Sequence, residues 1–184
     1  MKYAIFSSAI AIFATLATAL PAAENLAPRD HVKEVINSNL VVNINEDAPE
    51  TPLGVSDKGI VSRANGKHNS QALVKFDFRE SLSGYKCRLA FGYPTQFSGT
   101  GEIQVYTIGD INIASSTFNH RPFRDQFKGT FRVTGWAEAE VVDGSGLTFD
   151  CPTQGAKAYE VVSVGDNNEV VWNAAWGGLR IDAF

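Results

Sequence analysis

The chain has 184 residues with 16 Lys or Arg and 20 Asp or Glu, so its net charge is −4 with neutral histidines. This mildly acidic balance argues against nucleic acid and anionic membranes as partners, because both are bound through clustered Lys and Arg. The length indicates one domain, large enough to bury about 70% of the surface of its unfolded chain.

The N-terminus has the features of a secretory signal peptide. Lys2 precedes an uncharged apolar run over residues 4–20, and residues 17–19 (Ala-Thr-Ala) supply the small side chains of a cleavage site. The run is shorter than the about 20 apolar residues that a membrane-spanning helix needs. We therefore predict a signal peptide over residues 1–19 with cleavage after Ala19, a secreted protein, and no membrane insertion of the mature chain.

A leader segment over residues 20–38 follows the predicted cleavage site. Val32, Val35 and Ile36 are spaced as on one face of a helix, which predicts a short helix over residues 30–36. Residues 39–184 then form the main predicted domain.

That domain consists of short runs that alternate apolar and polar residues, separated by Gly, Asp, Asn and Ser. Strands are predicted over residues 40–44, 59–63, 72–78, 86–93, 103–107, 131–133, 137–142, 147–151, 159–164, 169–172 and 179–184, with 111–114 either extending or following the fifth. The turn at residues 165–168 predicts a hairpin between its flanking strands. Residues 115–129 lack alternation and predict a long loop.

The number of strands defines the fold class. About ten short strands, 16 glycines and no long amphipathic helix predict an all-β protein, an antiparallel β-sandwich. Val74, Phe76 and Phe78 alternate with polar residues, as in a strand with one buried face.

Two cysteines, Cys87 and Cys151, leave only one intramolecular pairing. In a secreted chain an even number of cysteines indicates a disulfide. Cys87 shares its strand face with Leu89 and Phe91, so we expect the disulfide to be buried. A zinc or catalytic thiol site is disfavoured, because His68, the histidine nearest to either cysteine, is far from both.

Several segments in order along the chain resemble a known family. They are residues 38–42 (SNLVV), 45–49 (NEDAP), 61–67 (VSRANGK), 73–78 (LVKFDF), 87–91 (CRLAF), 149–152 (FDCP) and the C-terminal predicted hairpin. Together they resemble the fungal But-two (ubiquitin-three-binding protein) C-terminal domain family, as a secreted member. The resemblance implies a β-rich domain found in secreted fungal proteins, with no agreed catalytic residues. The founding protein binds an intracellular E1-like enzyme, so that function does not carry over to a secreted chain.

No motif of known catalytic chemistry occurs. The chain lacks the nucleophile elbow, the zinc-protease helix motif, the dinucleotide fingerprint and the P-loop, so we predict no catalytic residues, no cofactor and no metal. One enzymatic alternative is a glycosidase-like acidic pair such as Glu138 with Asp143, although a solvated sheet face explains Glu138 and Glu140 better. Asp166 and Glu169 resemble calcium ligands but are explained by turn geometry.

Three residues are candidates for surface binding: Trp176, Trp136 and His120. Trp136 and Trp176 adjoin glycines, where an exposed ring could anchor a ligand or partner, although a tryptophan is more often a core residue. His120 lies in the predicted loop over residues 115–129, and loops of sandwiches commonly carry binding residues.

These observations predict a secreted, non-catalytic binding protein of the fungal cell wall, extracellular matrix or host surface, whose partner is a cell-wall glycan or an extracellular protein. The alternatives are a secreted carbohydrate-active enzyme that uses an acidic pair, and a virulence effector that binds a host protein. A concave cleft with a carboxylate of raised pKa would favour the enzyme, whereas an exposed aromatic patch would favour binding.

Overall fold

Residues 31–184, the part of the chain that the computed structural model describes, consist mainly of thirteen β-strands. The strands are β1 Glu34–Asn37, β2 Leu40–Asn45, β3 Lys58–Ala64, β4 Lys67–Phe78, β5 Lys86–Gly92, β6 Pro94–Gly99, β7 Glu102–Ile108, β8 Arg124–Arg132, β9 Glu140–Asp143, β10 Thr148–Asp150, β11 Gly155–Ser163, β12 Asn168–Asn173 and β13 Gly178–Ala183. The predicted signal peptide and the first part of the leader lie outside the described residues.

The strands form two sheets, and every strand pair is antiparallel. The small sheet has the order β1-β13-β5-β10, and the large sheet has the order β6-β12-β3-β4-β11-β7-β8-β9, with β2 paired to β4. Apolar side chains of both sheets meet in one core, because alternate residues of each strand point inward. The predicted all-β, antiparallel sandwich is confirmed.

The segment from Glu138 to Asp150 pairs with strands of both sheets in turn. Glu138 forms an isolated bridge with Gly92 of the small sheet, and the Ala139 N–H donates to the carbonyl of Phe91. The next residues form β9 on β8 of the large sheet, and β10 then returns to β5. Glu138 is therefore held at the end of β5 by backbone pairing.

The largest fully buried side chain, Trp172, lies where the two sheets meet. Its indole contacts Phe91 edge to face, with ring centroids 5.2 Å apart. A Cβ added to Gly59 would lie 2.0 Å from Trp172 Cε2, and one added to Gly178 would lie 1.9 Å from Cδ1. Both positions require glycine because the indole occupies the space of a side chain.

A second apolar cluster lies on the other face of the large sheet, beneath residues 109–123. Its buried members are Val42, Ile44, Leu73, Ile108, Ile113 and Ala158. Beside it, the fully buried Glu160 carboxylate pairs with Arg124 Nε at 2.7 Å and with Arg121 Nε at 3.5 Å. The Arg121 pair holds the irregular segment against the sheet, and the Arg124 pair lies at the start of β8.

The predicted disulfide between Cys87 and Cys151 is confirmed. The cysteines are 64 positions apart in sequence, their Cα atoms are 5.0 Å apart, and both are buried as expected. Closing a loop of this length restricts the unfolded chain and stabilises the fold by about 4 kcal/mol in the chain-entropy model.

The helix predicted over residues 30–36 is wrong. Glu34–Asn37 is strand β1, which pairs with β13 from Glu34↔Ala183 to Asn37↔Arg180. A helix this short is unstable by itself in water, whereas the edge of the small sheet offers the segment hydrogen-bonding partners. The leader thus contributes a strand to the sandwich.

The hairpin predicted around residues 165–168 is also wrong. β11 pairs with β4 and β7, whereas β12 pairs with β3 and β6. The polar residues of this turn bind another turn instead: Asn167 Oδ1 accepts from the Asn65 N–H at 2.9 Å, and the Asp166 carbonyl accepts from the Gly66 N–H at 2.9 Å. The tight hairpin at this end is the β3–β4 turn at Asn65 and Gly66, both with positive φ.

The long loop predicted over residues 115–129 is only partly correct, because β8 begins at Arg124. Its pairing with β7 contains two register shifts, which disrupt the alternation of side chains that identifies a strand in sequence. β6 was missed because it begins at a proline and is mostly polar, as edge strands often are. Residues 111–114 are not a strand.

We expect Gly59→Ala to lower the free energy of unfolding by about 1–3 kcal/mol, because the added methyl group must displace the Trp172 indole. Urea unfolding measures the change. The matched control is Gly135→Ala, where an added Cβ meets nothing within 4 Å and the expected change is within about 0.5 kcal/mol. Equal effects of the two substitutions would contradict the packing argument.

Candidate functional site

A groove of about 380 Å³ lies on the solvent-facing side of the small sheet. Its polar and aromatic lining residues are Asn37, Arg88, Tyr93, Glu138, Trp176, Arg180 and Asp182, and its apolar lining residues are Val32, Val35 and Ala175. We call this feature the Trp176 groove. Arg180 and Asp182 alternate with buried Leu179 and Ile181 on β13, so their side chains point away from the core. Arg88 of β5 pairs with Asp182 in the strand register and shares that face.

Glycines allow the walls of the groove to come close together. A Cβ added to Gly92 would lie 3.0 Å from the Glu138 Cα and 3.3 Å from Arg180 Nη1. A Cβ added to Gly177 would lie 2.4 Å from the Tyr93 carbonyl oxygen. The turn that carries Trp176 can therefore pack directly on the backbone at Tyr93.

An ionic network centred on Arg180 forms the floor of the groove. Arg180 Nε donates to Asp182 Oδ1 at 3.0 Å, and Nη2 donates to Glu138 Oε1 at 2.8 Å. The side chains of Arg180 and Asp182 are only 13% and 5% exposed. Burial works against the charged guanidinium, but the hydrogen bonds and charges of Asp182 and Glu138 outweigh it and raise the pKa of Arg180. The Arg180 guanidinium therefore stays charged and is held in position by its hydrogen bonds to two carboxylates.

Two aromatic side chains line the groove at the surface. Trp176 is 55% exposed and Tyr93 is 43% exposed, and the Arg180 guanidinium lies 5.7 Å from the centroid of the Tyr93 ring. Tyr93 has φ of +51°, a conformation that is unfavourable for a bulky side chain. Strained backbone of this kind is found preferentially at functional sites.

The other candidate residues lie elsewhere, so the structure does not bring them together. Trp136 is 64% exposed and packs edge to face on Phe97, with ring centroids 5.0 Å apart, but it does not line the groove. His120 Nε2 lies 2.9 Å from Glu50 Oε2 on an exposed surface. The third tryptophan, Trp172, is a core residue.

The carboxylates considered for catalysis are engaged in other contacts. Glu138 pairs with Arg180, whereas Asp143 lies at the end of β9 and does not line the groove. The Ser145 N–H donates to Asp143 Oδ1 at 3.0 Å, and this hydrogen bond lowers the pKa of Asp143. A general acid requires a raised pKa, so the environment of Asp143 is unsuitable for that role.

The residues considered for calcium are likewise part of local structure. Asp166 lies in the turn that docks on Gly66, and Glu169 Oε2 accepts from Gln96 Nε2 at 2.6 Å. Between residues 31 and 184, no group of three or more His, Cys, Asp and Glu side chains is arranged to hold a metal ion.

Sequence reasoning identified Trp176 but missed Tyr93, Arg88, Arg180 and Asp182. Alternation in Leu179-Arg180-Ile181-Asp182 already places Arg180 and Asp182 on one polar strand face. Nothing in the sequence pairs that face with Tyr93 and Glu138, because the pairing depends on the β13–β5 register and on the bridge at Gly92.

Comparison with protein-family models identifies the family of this chain. The family model described as "Ubiquitin 3 binding protein But2 C-terminal domain" matches residues 39–175. The chain belongs to this family, and the resemblance noted in the sequence is confirmed. Arg88, Tyr93 and Glu138 lie within the matched residues, whereas Trp176, Arg180 and Asp182 lie beyond them.

A search of curated proteins returned no match. Over residues 31–184, no helix has the length and apolar character required to cross a membrane.

We expect Arg180→Met to lower the free energy of unfolding by about 3 kcal/mol, because Asp182 would remain buried without its charged partner. The double variant Arg180→Met/Asp182→Asn should be more stable than Arg180→Met, since it no longer buries an unpaired charge. Lys86→Met is the control, because the Lys86–Asp150 pair is exposed and its loss should cost less than about 1 kcal/mol. Thermal unfolding of the variants measures these differences, and no gain in the double variant would contradict the pairing argument.

Proposed function

We propose that this member of the But2 C-terminal domain family is a secreted, non-catalytic binding protein, and that the Trp176 groove is its ligand-binding surface. The observation that carries the proposal is the pair of exposed rings, Trp176 and Tyr93, beside a fixed ionic network. Exposed aromatic side chains that are held rigidly bind ligands at little cost in conformational entropy. The family description also names a binding protein, which supports binding over catalysis.

The environment of the acidic side chains also supports binding over catalysis. Catalysis of glycoside hydrolysis needs one carboxyl group held protonated and a second held ionised beside the same bond. Glu138 accepts a hydrogen bond from Arg180 in the groove, whereas Asp143, whose pKa is lowered by its hydrogen bond from Ser145, does not line the same groove. A binding role requires neither a proton donor nor a nucleophile.

The proposed location is outside the cell, at the cell wall, in the extracellular matrix or on a host surface. The features that support it are the apolar run over residues 4–20, the small residues at 17–19 and the disulfide between Cys87 and Cys151. Disulfides persist in oxidising compartments and are rare in the cytosol. The ligand is then a wall glycan or an extracellular protein, and a host protein would make the chain an effector.

The expected mature N-terminus is Leu20, because residues 17–19 form the cleavage site. Mass analysis of tryptic peptides from the culture supernatant measures it. Recovery of the protein only from the cytosol, with Met1 intact, would contradict secretion.

Trp176→Ala should weaken retention of the mature protein on isolated cell-wall and matrix fractions by about 2 kcal/mol, roughly thirtyfold, as expected for loss of an aromatic anchor. The melting temperature should change little, because more than half of the side chain is exposed. Retention is measured by quantitative sedimentation with the wall material.

Trp136→Ala is the matched control, since Trp136 is also an exposed tryptophan but lies outside the groove. Its retention should equal that of the unmodified protein. Equal losses in the two variants, or a loss in neither, would exclude the groove as the binding surface.

A further inference from the structure

The charges in the Trp176 groove are balanced. Arg88 and Arg180 supply two positive groups, and Glu138 and Asp182 supply two negative groups. Asp182 and Glu138 are already engaged by the Arg180 guanidinium. A cationic ligand would compete with Arg180 for these carboxylates, and an anionic ligand would bring its charge beside both of them, which is costly at a partly buried surface. The groove therefore favours an uncharged ligand.

The rings of Trp176 and Tyr93 require a ligand with an apolar surface. Their faces carry π-electron density that attracts the C–H groups of a partner. The polar side chains of the groove require hydrogen-bonding groups on the same ligand, since the Asn37 amide both donates and accepts and the Arg88 guanidinium donates. A pyranose ring with equatorial hydroxyls has both features: C–H groups on its faces and hydroxyls around its edge.

The size of the groove also favours such a ligand over a folded protein. Its 380 Å³ lies within the range of about 300–1,000 Å³ that is typical of small-molecule sites. A stable protein interface buries about 800 Å² on each partner and usually seats an anchor side chain in an apolar pocket. The groove places the charged Arg180 and Asp182 side chains beside its apolar lining residues Val32, Val35 and Ala175, so it is not a purely apolar pocket of that kind.

We infer that the Trp176 groove binds an uncharged, pyranose-containing glycan, with sugar rings against Trp176 and Tyr93 and sugar hydroxyls toward Asn37 and Arg88. This inference rests on the proposed function and specifies its ligand. The groove is prepared for binding, because two carboxylates hold Arg180 and the packing of Gly177 holds the Trp176 turn against Tyr93. Little additional ordering is then required when the ligand binds.

The test is calorimetric titration of the mature protein with purified oligosaccharides. The uncharged set contains β-1,3-glucan, β-1,4-glucan and chitin hexasaccharides, and the charged set contains oligogalacturonate and a chitosan hexasaccharide. At least one uncharged ligand should bind, with an affinity that stays nearly constant as salt is raised, because no net charge is neutralised. Trp176→Ala and Tyr93→Ala should each weaken that binding about tenfold or more, whereas Trp136→Ala should not change it.

Binding of only the charged oligosaccharides, or equal binding by Trp176→Ala and the unmodified protein, would overturn the inference. Failure of every oligosaccharide to bind would also overturn it. If no oligosaccharide binds, wall retention separates the two proposals. Retention that is still reduced by Trp176→Ala would show that the groove binds another ligand. Retention that is unchanged in Trp176→Ala would contradict both proposals.

Discussion

The packing of Trp172 between two glycines determines how the small sheet meets the large one. The indole belongs to β12 of the large sheet, lies against Gly59 of β3 and Gly178 of β13, and contacts Phe91 of β5. Replacing either glycine would place a side chain inside the ring. Since a core at this density has no spare volume, the approach of β13 to β12 is set by this contact.

The position of the groove follows from the same contact. The chain leaves β12 just after Trp172, passes through the turn that carries Trp176, and enters β13 at Gly178. Gly178 packs on the indole and Gly177 packs on the carbonyl of Tyr93, so the turn is held from both sides. The backbone that carries Trp176 is therefore held by buried contacts, which is the arrangement that a rigid binding surface requires.

Buried ion pairs fix the positions of chain segments on the outer faces of both sheets. Arg180 of β13 holds Glu138 of the segment before β9 against the small sheet, and Glu160 of β11 holds Arg121 of the irregular segment against the large sheet. Removing such groups from water is costly, so their net contribution to the free energy of unfolding is small. These ion pairs form only at short distances, however, and they therefore position segments that have no regular secondary structure.

Local sequence determined those features that depend on side-chain alternation or on counting. Val74, Phe76 and Phe78 identified a half-buried strand, Leu89 and Phe91 showed that Cys87 points inward, and two cysteines allowed one disulfide. The first two conclusions hold because a strand alternates its faces with a period of two, whatever its partner, and the third holds because two cysteines have only one intramolecular pairing. The family assignment likewise needed only short motifs in order.

Tertiary structure alone decided which strands pair. Val32, Val35 and Ile36 have helical spacing, yet Glu34–Asn37 forms β1, because pairing with β13 outweighs a weak local preference. The turn at residues 165–168 joins strands that are not neighbours, because its polar groups dock on the β3–β4 turn. The exposure of Trp176 and the burial of Trp172 depend on which strands adjoin them. The groove is formed by residues of β5, β13 and the segment around Glu138. Their proximity depends on strand register, which no local sequence pattern specifies.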